Sequence, residues 1–238
     1  MGFTWLKEVM NLKAALRGVQ DALPIVLGYV PVAMAFGISG SSLGLKASEI
    51  SLTSLIVYSG AGQFFILAAM KIATPWLMIV ALITLLNMRH LFYGPIISSY
   101  LPDSLKQRLT MAFFLTDEVF ATSFHRLKDV KESERAAWFW GLGITAWLSW
   151  VGGTVLGLIT GEQLLAHYPL LEQVLKFSLP ALFVVLTVMS VYRQMLLALI
   201  AAAMVSLVVT LSGYPSLAIF AGAISAFVLY QPKGKRHE

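Results

Sequence analysis

The apolar run Trp76–Ser98 constrains this chain most, because it carries Asn87, Arg89 and His90 inside a segment long enough to cross a bilayer. A membrane helix needs about 20 residues. An arginine at the centre of such a helix costs about 2.5 to 3.5 kcal/mol on insertion scales. These side chains therefore face a protein interior or a water-filled path rather than lipid. We interpret the rest of the chain as the scaffold and partners of this polar stretch.

Composition indicates an all-α polytopic membrane protein. Apolar residues make up 58% of the chain and charged residues 12%, which is unusual for a soluble domain. The absence of cysteine excludes disulfides, thiolate metal sites and a cysteine nucleophile. The net charge of +5 is better explained by the basic loops of a membrane protein than by nucleic acid. We expect the bilayer as a partner, no nucleic acid, no metal and no cofactor.

The chain divides into three predicted parts. Residues 1–18 place cations among apolar side chains and predict an amphipathic helix on the membrane surface. Residues 19–230 form a single transmembrane transport domain. Residues 231–238 form a basic cytoplasmic tail.

Hydropathy predicts about eight membrane spans with both termini in the cytoplasm. This arrangement leaves twelve lysines and arginines on the cytoplasmic side and three outside, in line with the positive-inside rule. Without the fourth span, the basic cluster Arg126–Arg135 would lie outside. The predicted spans are roughly 19–40, 50–70, 76–98, 109–125, 136–160, 174–192, 194–212 and 215–230.

Helix breakers occur inside the first and sixth spans. Pro24, Gly28 and Pro31 predict a kink or an unwound segment in the first span, and Pro180 predicts a kink in the sixth. Each of these spans is followed by a second one and then by a third that opens with proline. The pattern hints at an inverted repeat of spans 1–3 and 6–8 with broken helices, an arrangement that recurs in transporters.

Polar or backbone-exposing features fall at similar depth in the first four spans. At about 1.5 Å per residue, the segments 28–31, 59–63, 87–90 and 116–118 all lie near mid-membrane. We expect them to converge on one site. The candidate substrate-binding residues are Gly28, Tyr29, Pro31, Gly60, Gly62, Gln63, Asn87, Arg89 and Thr116.

Some of these residues have structural alternatives. Gly60 and Gly62 could permit close helix packing, and Gln63 could line the site or only support it. The prolines could only kink the first helix. Arg89 could extend outward to the interface, or be buried and paired with a carboxylate of the fourth span.

Three residues are candidates for proton coupling, namely Asp117, Glu118 and His90. Because neighbouring helical residues point about 100° apart, we expect only one of the two carboxylates to face the site. Burial and a nearby like charge favour the protonated form of a carboxylate. His90 could instead be a hydrogen-bonded structural residue.

The fifth span carries the pattern Gly153-x-x-x-Gly157 together with several tryptophans. Small residues at this spacing let helix backbones approach closely. The span therefore predicts a surface for helix packing within the chain or for contact with another subunit.

Four ordered motifs resemble the AzlC family, the large subunits of bacterial branched-chain amino acid exporters. The motifs are Gly28-Tyr29-Val30-Pro31, Ser59-Gly60-Ala61-Gly62-Gln63-Phe64, Asn87-Met88-Arg89-His90-Leu91-Phe92-Tyr93-Gly94 and Leu115-Thr116-Asp117-Glu118-Val119-Phe120-Ala121. The resemblance implies a bacterial inner-membrane exporter of valine, leucine, isoleucine and often methionine. It also implies a small AzlD-type membrane subunit as partner.

A zwitterionic amino acid substrate needs partners for its carboxylate and its ammonium group, and an apolar slot. Arg89, or backbone donors of a broken first span, could hold the carboxylate. Asp117 or Glu118 could hold the ammonium group. The candidates for the apolar wall are Phe36, Phe64, Leu91 and Phe120.

Two other function classes remain open at this point. Gly37-Ile38-Ser39-Gly40 has the form of a membrane serine protease motif, for which His90 or His125 could act as base. The chain could also be a channel or structural subunit. A carrier saturates and exchanges substrate across the membrane, whereas a channel conducts without saturation.

Overall fold

The computed structural model describes residues 11–102, 104–168, 170 and 195–230. The regular structure of these residues is helical. They group into two compact units, one within Met1–Ala68 and Ile83–Ser178, the other within Ala69–Leu82 and Leu179–Glu238. The helices are α1 Leu12–Ser42, α2 Ala47–Ile56, α3 Gly60–Lys71, α4 Trp76–Asn87, α5 His90–Ile97, α6 Leu105–Phe113, α7 Asp117–Arg126, α8 Arg135–His167, α9 Leu196–Leu211 and α10 Pro215–Leu229, with short 3₁₀ turns at Ser98–Tyr100 and Glu132–Glu134.

Within these described ranges, three segments are long and apolar enough to cross a membrane: Leu12–Ser42, Trp76–Tyr100 and Glu132–Gly161. They coincide with the predicted spans 1, 3 and 5. The predicted sixth span, the basic tail and residues 1–10 lie outside the described residues. The remainder of the predicted interfacial helix, from Leu12 to residue 18, is continuous with α1.

Helix α1 runs unbroken through both of its prolines, so the predicted unwound segment in the first span is wrong. Pro24 and Pro31 are seven residues apart, about two turns, and both lie on the exposed face with Gly28. The opposite face, with Ala22 and Tyr29, is buried. Because each proline removes one backbone donor on the outer face only, packing along the inner face holds the helix together.

The inner face of α1 packs against α8, which runs parallel to it. A Cβ added at Gly18 would collide with the Trp138 carbonyl oxygen, and one at Gly157 with the Met34 carbonyl oxygen. The two backbones therefore touch at both ends of the contact. The helix-packing interpretation of the fifth span is confirmed, and the contact lies within the chain.

Polar contacts join the first three turns of α1 to the beginning of α8 at one end of the first unit. The Glu134 carboxylate binds the Arg17 guanidinium and accepts a hydrogen bond from Asn11 Nδ2 at 3.3 Å. Asp21 accepts a hydrogen bond from Trp138 Nε1 at 2.8 Å. We call this the basal end of the unit.

Helices α2 and α3 form a hairpin rather than the single predicted span over 50–70. The chain breaks at Val57–Ser59, where Tyr58 has φ of 37°. Gln63 Nε2 donates to Ser54 Oγ at 3.3 Å across the hairpin. Phe64 packs edge-on against Phe36 of α1, with ring centroids 5.7 Å apart. Because Phe36 lies near the far end of α1, α3 runs back toward the end from which α2 came.

Helices α6 and α7 form a second hairpin where a fourth span was predicted over 109–125. The helices are interrupted at 114–116. The residues before α6 and after α7 both meet the start of α8, since the Arg135 guanidinium lies 5.2 Å from the Tyr100 ring centroid and its Nε donates to the Leu127 carbonyl at 3.2 Å. This hairpin therefore begins and ends at the basal end.

The second unit contains the antiparallel pair α9 and α10. Ser206 Oγ donates to the Ala218 carbonyl at 2.9 Å, and a turn at Gly213, with φ of 90°, joins the helices. The proposed inverted repeat stays a prediction, because its sixth span lies outside the described residues. Helix α9 is unbroken where its proposed counterpart, α2–α3, is interrupted.

Candidate functional site

The tips of the two hairpins meet beside the middle of α8. The rings of Tyr58 and Phe113 lie 6.0 Å apart between centroids. Trp147 touches both tips, because its Nε1 donates to the Leu55 carbonyl at 3.2 Å and its ring packs against Phe114 at 6.0 Å. The structure thus joins two of the segments that were predicted to lie at similar depth.

An ion pair joins the break in the third span to the tip of α6–α7. Arg89, at the break between α4 and α5, places its Nη2 2.7 Å from Asp117 Oδ2. Tyr93 Oη donates to Asp117 Oδ1 at 2.5 Å. The side chains of Arg89 and Asp117 are 35% and 26% exposed, so the pair is reachable. Arg89 Nε is buried and has no hydrogen-bond partner among the residues that the structure describes.

The second carboxylate of the tip binds a residue of the first span. The Tyr29 hydroxyl oxygen lies 2.5 Å from Glu118 Oε2 and 2.7 Å from Thr116 Oγ1. One proton satisfies one acceptor, so Tyr29 donates to the carboxylate and Thr116 donates to Tyr29. Thr116 also caps α7 by accepting from the Val119 amide at 3.3 Å.

Both carboxylates belong to the first turn of α7, where the helix dipole favours negative charge. Which of the two carboxylates faces a substrate stays a prediction. Asp117 and Glu118 point in different directions, but each meets a partner from a different helix. The structure pairs Arg89 with Asp117, one of the two counter-charges that the sequence offered.

Two tyrosines of this cluster were missed as site residues. Tyr93 follows Arg89 by four residues and therefore lies on the same helix face, which was a usable signal. Tyr58 is buried at the tip of α2–α3. Its buried hydroxyl has no well-formed hydrogen bond to any described residue. Nothing in the sequence pattern distinguished it.

Asn87 links the break in the third span to the tip of α2–α3. Its Oδ1 accepts from Ser59 Oγ at 2.8 Å. A Cβ added at Gly62 would lie 3.0 Å from Ser59 Oγ and 3.6 Å from Asn87 Nδ2, so the glycine keeps room for this contact. His90 Nδ1 donates to the Asn87 carbonyl at 3.0 Å, which gives this histidine a structural hydrogen bond at the break.

Gln63 belongs to a separate, fully buried network. Its Oε1 accepts from Trp150 Nε1 at 2.7 Å, and its Nε2 donates to Ser54 Oγ. Ser54 Oγ lies 2.7 Å from Thr154 Oγ1 on α8. This network ties α2–α3 to α8 and supports the tip rather than lining an open site.

The structure does not bring three other candidates into the cluster. Gly28 and Pro31 lie on the exposed face of α1, and a Cβ at Gly28 would meet nothing within 4 Å. Gly60 faces the Trp150 ring, 2.7 Å from where its Cβ would lie.

The predicted apolar wall separates into two groups. Phe36 and Phe64 are buried in the core, and Leu91 is exposed. Phe120 stacks on Tyr93, with ring centroids 4.2 Å apart, so it adjoins the ion pair. Among the residues that the structure describes, no group of three or more histidine or carboxylate side chains could hold a metal ion.

Comparison with known proteins identifies the family of this chain. The family described as AzlC protein matches residues 24–164, which include α1 from Pro24 onward, all of α2 to α7 and most of α8. The Escherichia coli K12 inner membrane protein YgaZ is 40% identical over 213 residues, covering 88% of this chain and 86% of that protein. An uncharacterized membrane protein of Archaeoglobus fulgidus is 33% identical and covers 90% of this chain and 92% of its own.

A more distant relative carries a functional name. The branched-chain amino acid transport protein AzlC of Bacillus subtilis is 26% identical over 189 residues, covering 77% of this chain and 70% of that protein. No solved structure matches the chain. The three long apolar helices and the likeness to an inner membrane protein make this a multi-pass protein of the bacterial cytoplasmic membrane. The chain belongs to the AzlC family.

Proposed function

We propose that this chain is the large subunit of a secondary transporter that exports valine, leucine and isoleucine, and also methionine. The family membership and the name of the Bacillus subtilis relative support the substrate class. The family resemblance supports the outward direction and a small AzlD-type membrane subunit as partner. The observation that carries the proposal is the reachable Arg89–Asp117 pair at the meeting point of three interrupted segments.

The pair suits a zwitterionic α-amino acid, because it already holds one group of each charge. Arg89, whose side chain is 35% exposed, can bind a substrate carboxylate through its terminal guanidinium nitrogens. Asp117, released from Arg89, can bind the substrate ammonium group. The substrate thus replaces one internal ion pair by two, and the desolvation of both protein charges is offset.

A second group that can bind the substrate carboxylate lies at the tip of α2–α3. Because α1 is unbroken, it offers no free backbone donors for the substrate carboxylate. We assign this role to the first turn of α3 instead. That turn begins at Gly60, and helix N-termini attract anions. Asn87 Nδ2 lies beside it. Phe120, stacked on Tyr93, supplies the apolar surface for a branched side chain.

Proton coupling is proposed for Glu118, with Tyr29 as its hydrogen-bond partner. Glu118 is the carboxylate of the tip that accepts from a phenol rather than from a guanidinium. Glu118→Gln keeps the size and removes the titration. Export that follows the proton gradient in the parent and loses this dependence in Glu118→Gln is the expected result. Export indifferent to both changes removes the coupling from the proposal.

The proposal is tested by efflux from cells loaded with a valine- or methionine-containing dipeptide. The chain is expressed with and without the small membrane protein encoded beside it. We expect faster, saturable efflux only when both are present, and normal membrane levels of Arg89→Ala without efflux. Unchanged efflux of every branched-chain amino acid and of methionine, with both proteins in the membrane, would contradict the proposal.

The protease motif has a structural explanation. A Cβ at Gly37 would collide with the Thr154 carbonyl, and one at Gly40 would lie 2.9 Å from the Ile50 side chain. Both glycines therefore serve helix packing around Ser39. His125 Nδ1 donates to the Ala121 carbonyl of its own helix at 2.8 Å. No observation favours an enzyme over a carrier.

A further inference from the structure

We infer that α2–α3 and α6–α7 are re-entrant hairpins that enter the bilayer from opposite faces and meet at its middle. On this topology the connection between α5 and α6 is cytoplasmic, and the connection between α3 and α4 is external. Each helix of a hairpin has 9 to 12 residues, about 14 to 18 Å at 1.5 Å per residue. That is about half of a hydrocarbon core of about 30 Å.

The basal hairpin is the clearer case. Ser104, at the start of α6, and Ser133, in the turn before α8, line one cleft of about 720 Å³. Arg135, in the same cleft, packs on Tyr100. Arg126, the last residue of α7, pairs with Asp21 of α1 at 3.1 Å. A helix pair that crossed the membrane could not place both of its ends at the basal end.

The other hairpin enters from the opposite end of α1. Ile50, early in α2, contacts the position of Gly40, near the end of α1. Phe64 returns to Phe36 after the tip at Tyr58. Had α3 continued in the direction of α2, Phe64 would lie several turns of α1 away from Phe36. Helix α3 continues to Lys71 and leaves the membrane on the face where α2 entered.

The charge pattern improves under this topology. Lys106 and Arg108 move to the cytoplasmic side, and Lys71 moves outside. With spans 6 to 8 kept as predicted, cytoplasmic lysines and arginines rise from twelve to thirteen and external ones fall from three to two. The positive-inside rule therefore favours six full crossings and two hairpins over eight crossings.

The hairpins also satisfy the rule against exposed backbone in lipid. Interrupted backbone at membrane depth is tolerated only where protein or water meets it. Trp147 donates to the Leu55 carbonyl at the end of α2, and Thr116 caps α7. The polar cluster is thus covered by one hairpin from each face of the membrane. The inference concerns topology and does not depend on the substrate.

Cysteine accessibility tests it directly, since the natural chain has no cysteine. Four single variants at exposed positions are needed: Ser48→Cys, Ile72→Cys, Ser104→Cys and Ser133→Cys. Each is first shown to react with a membrane-impermeant maleimide in detergent. Labelling is then compared in spheroplasts and in inside-out vesicles from cells that also express the neighbouring small membrane protein.

Ser48 and Ser133 report opposite faces under both topologies and serve as references. We expect Ile72→Cys to label from the face that labels Ser48→Cys, and Ser104→Cys from the face that labels Ser133→Cys. Eight crossings predict the reverse for both. If Ser104→Cys labels with Ser48→Cys, or Ile72→Cys with Ser133→Cys, the inference is overturned, whatever the chain transports.

Discussion

The two hairpins share a geometry but are held by different chemistry. The tip of α2–α3 is fastened by Gln63, which is fully buried and hydrogen-bonded to Ser54 and Trp150. The tip of α6–α7 is held by Asp117 and Glu118, two carboxylates that remain at least partly exposed, through a guanidinium and two tyrosine hydroxyls. We therefore expect the tip of α2–α3 to be rigid, whereas the side chains at the tip of α6–α7 can exchange their partners.

This difference follows from the cost of burying polar groups. A buried neutral network is worth little net stability while intact, but losing one member leaves the others unsatisfied. A partly exposed ion pair contributes little to stability, yet its charges are available to a ligand. Substitutions at the two tips should therefore separate folding from transport.

Arg89→Ala should have the largest effect on transport. It removes the cation that we assign to the substrate carboxylate and leaves Asp117 without its counter-charge. We expect efflux of valine to fall more than tenfold, with membrane levels close to the parent. Arg89→Lys, which keeps the charge but not the bidentate geometry, should retain part of the activity. Equal efflux in Arg89→Ala and the parent would remove Arg89 from the site.

Gln63→Leu should act on stability instead. It leaves Trp150 Nε1 buried without its acceptor, at a cost of about 1 to 3 kcal/mol. The measurement is the unfolding temperature in detergent, which should fall by several degrees, while efflux per folded molecule stays near the parent value. Gln163→Leu, at an exposed position of α8, is the matched control. A specific loss of efflux without destabilisation would place Gln63 in the site.

Tyr29→Phe and Tyr58→Phe form a matched pair with a smaller expected effect. Tyr29 holds Glu118 and Thr116, so loss of its hydroxyl should lower efflux by several-fold. Tyr58 has no well-formed hydrogen bond to lose, so its change should be within twofold. Efflux assays at equal expression compare them, and the opposite order would contradict the hydrogen bonds assigned to Tyr29.

Trp147→Phe should have the smallest effect, although the residue touches both tips. It loses the hydrogen bond to the Leu55 carbonyl but keeps an aromatic ring against Phe114. A single hydrogen bond of this kind contributes about 0.5 to 1.5 kcal/mol. Thermal unfolding should detect this loss, and Trp147→Ala should exceed it. Equal stability of Trp147→Phe and Trp147→Ala would show that packing of the aromatic ring does not stabilise the contact between the tips.

The sequence predicted the polar cluster better than it predicted the backbone. Similar depth in the hydropathy pattern was enough to associate Tyr29, Arg89, Thr116 and both carboxylates, because polar groups in a membrane must find one another. Depth alone could not exclude Gly28 and Pro31 from the site, because they share the depth of Tyr29 but lie on the other face of α1.

The interruptions could not be predicted from helix breakers. The chain breaks at Tyr58, at Arg89 and at residues 114–116, none of which is proline or glycine. Helix α1, with two prolines, stays continuous because it packs along α8. Tertiary contacts determine where these helices are interrupted, and a hydropathy pattern contains no information about such contacts. For the same reason the hydropathy pattern does not show that the segments 50–70 and 109–125 are interrupted.

Ligand-induced stabilisation of the purified complex tests most directly whether the charged tip binds the substrate. A ligand that binds the folded protein raises its unfolding temperature. L-valine should raise it in the parent and, from a lower starting value, in Gln63→Leu. It should have no effect on Arg89→Ala, and valinamide, which lacks the carboxylate, should have none on the parent. A shift with L-valine in Arg89→Ala equal to that of the parent would show that the substrate binds elsewhere.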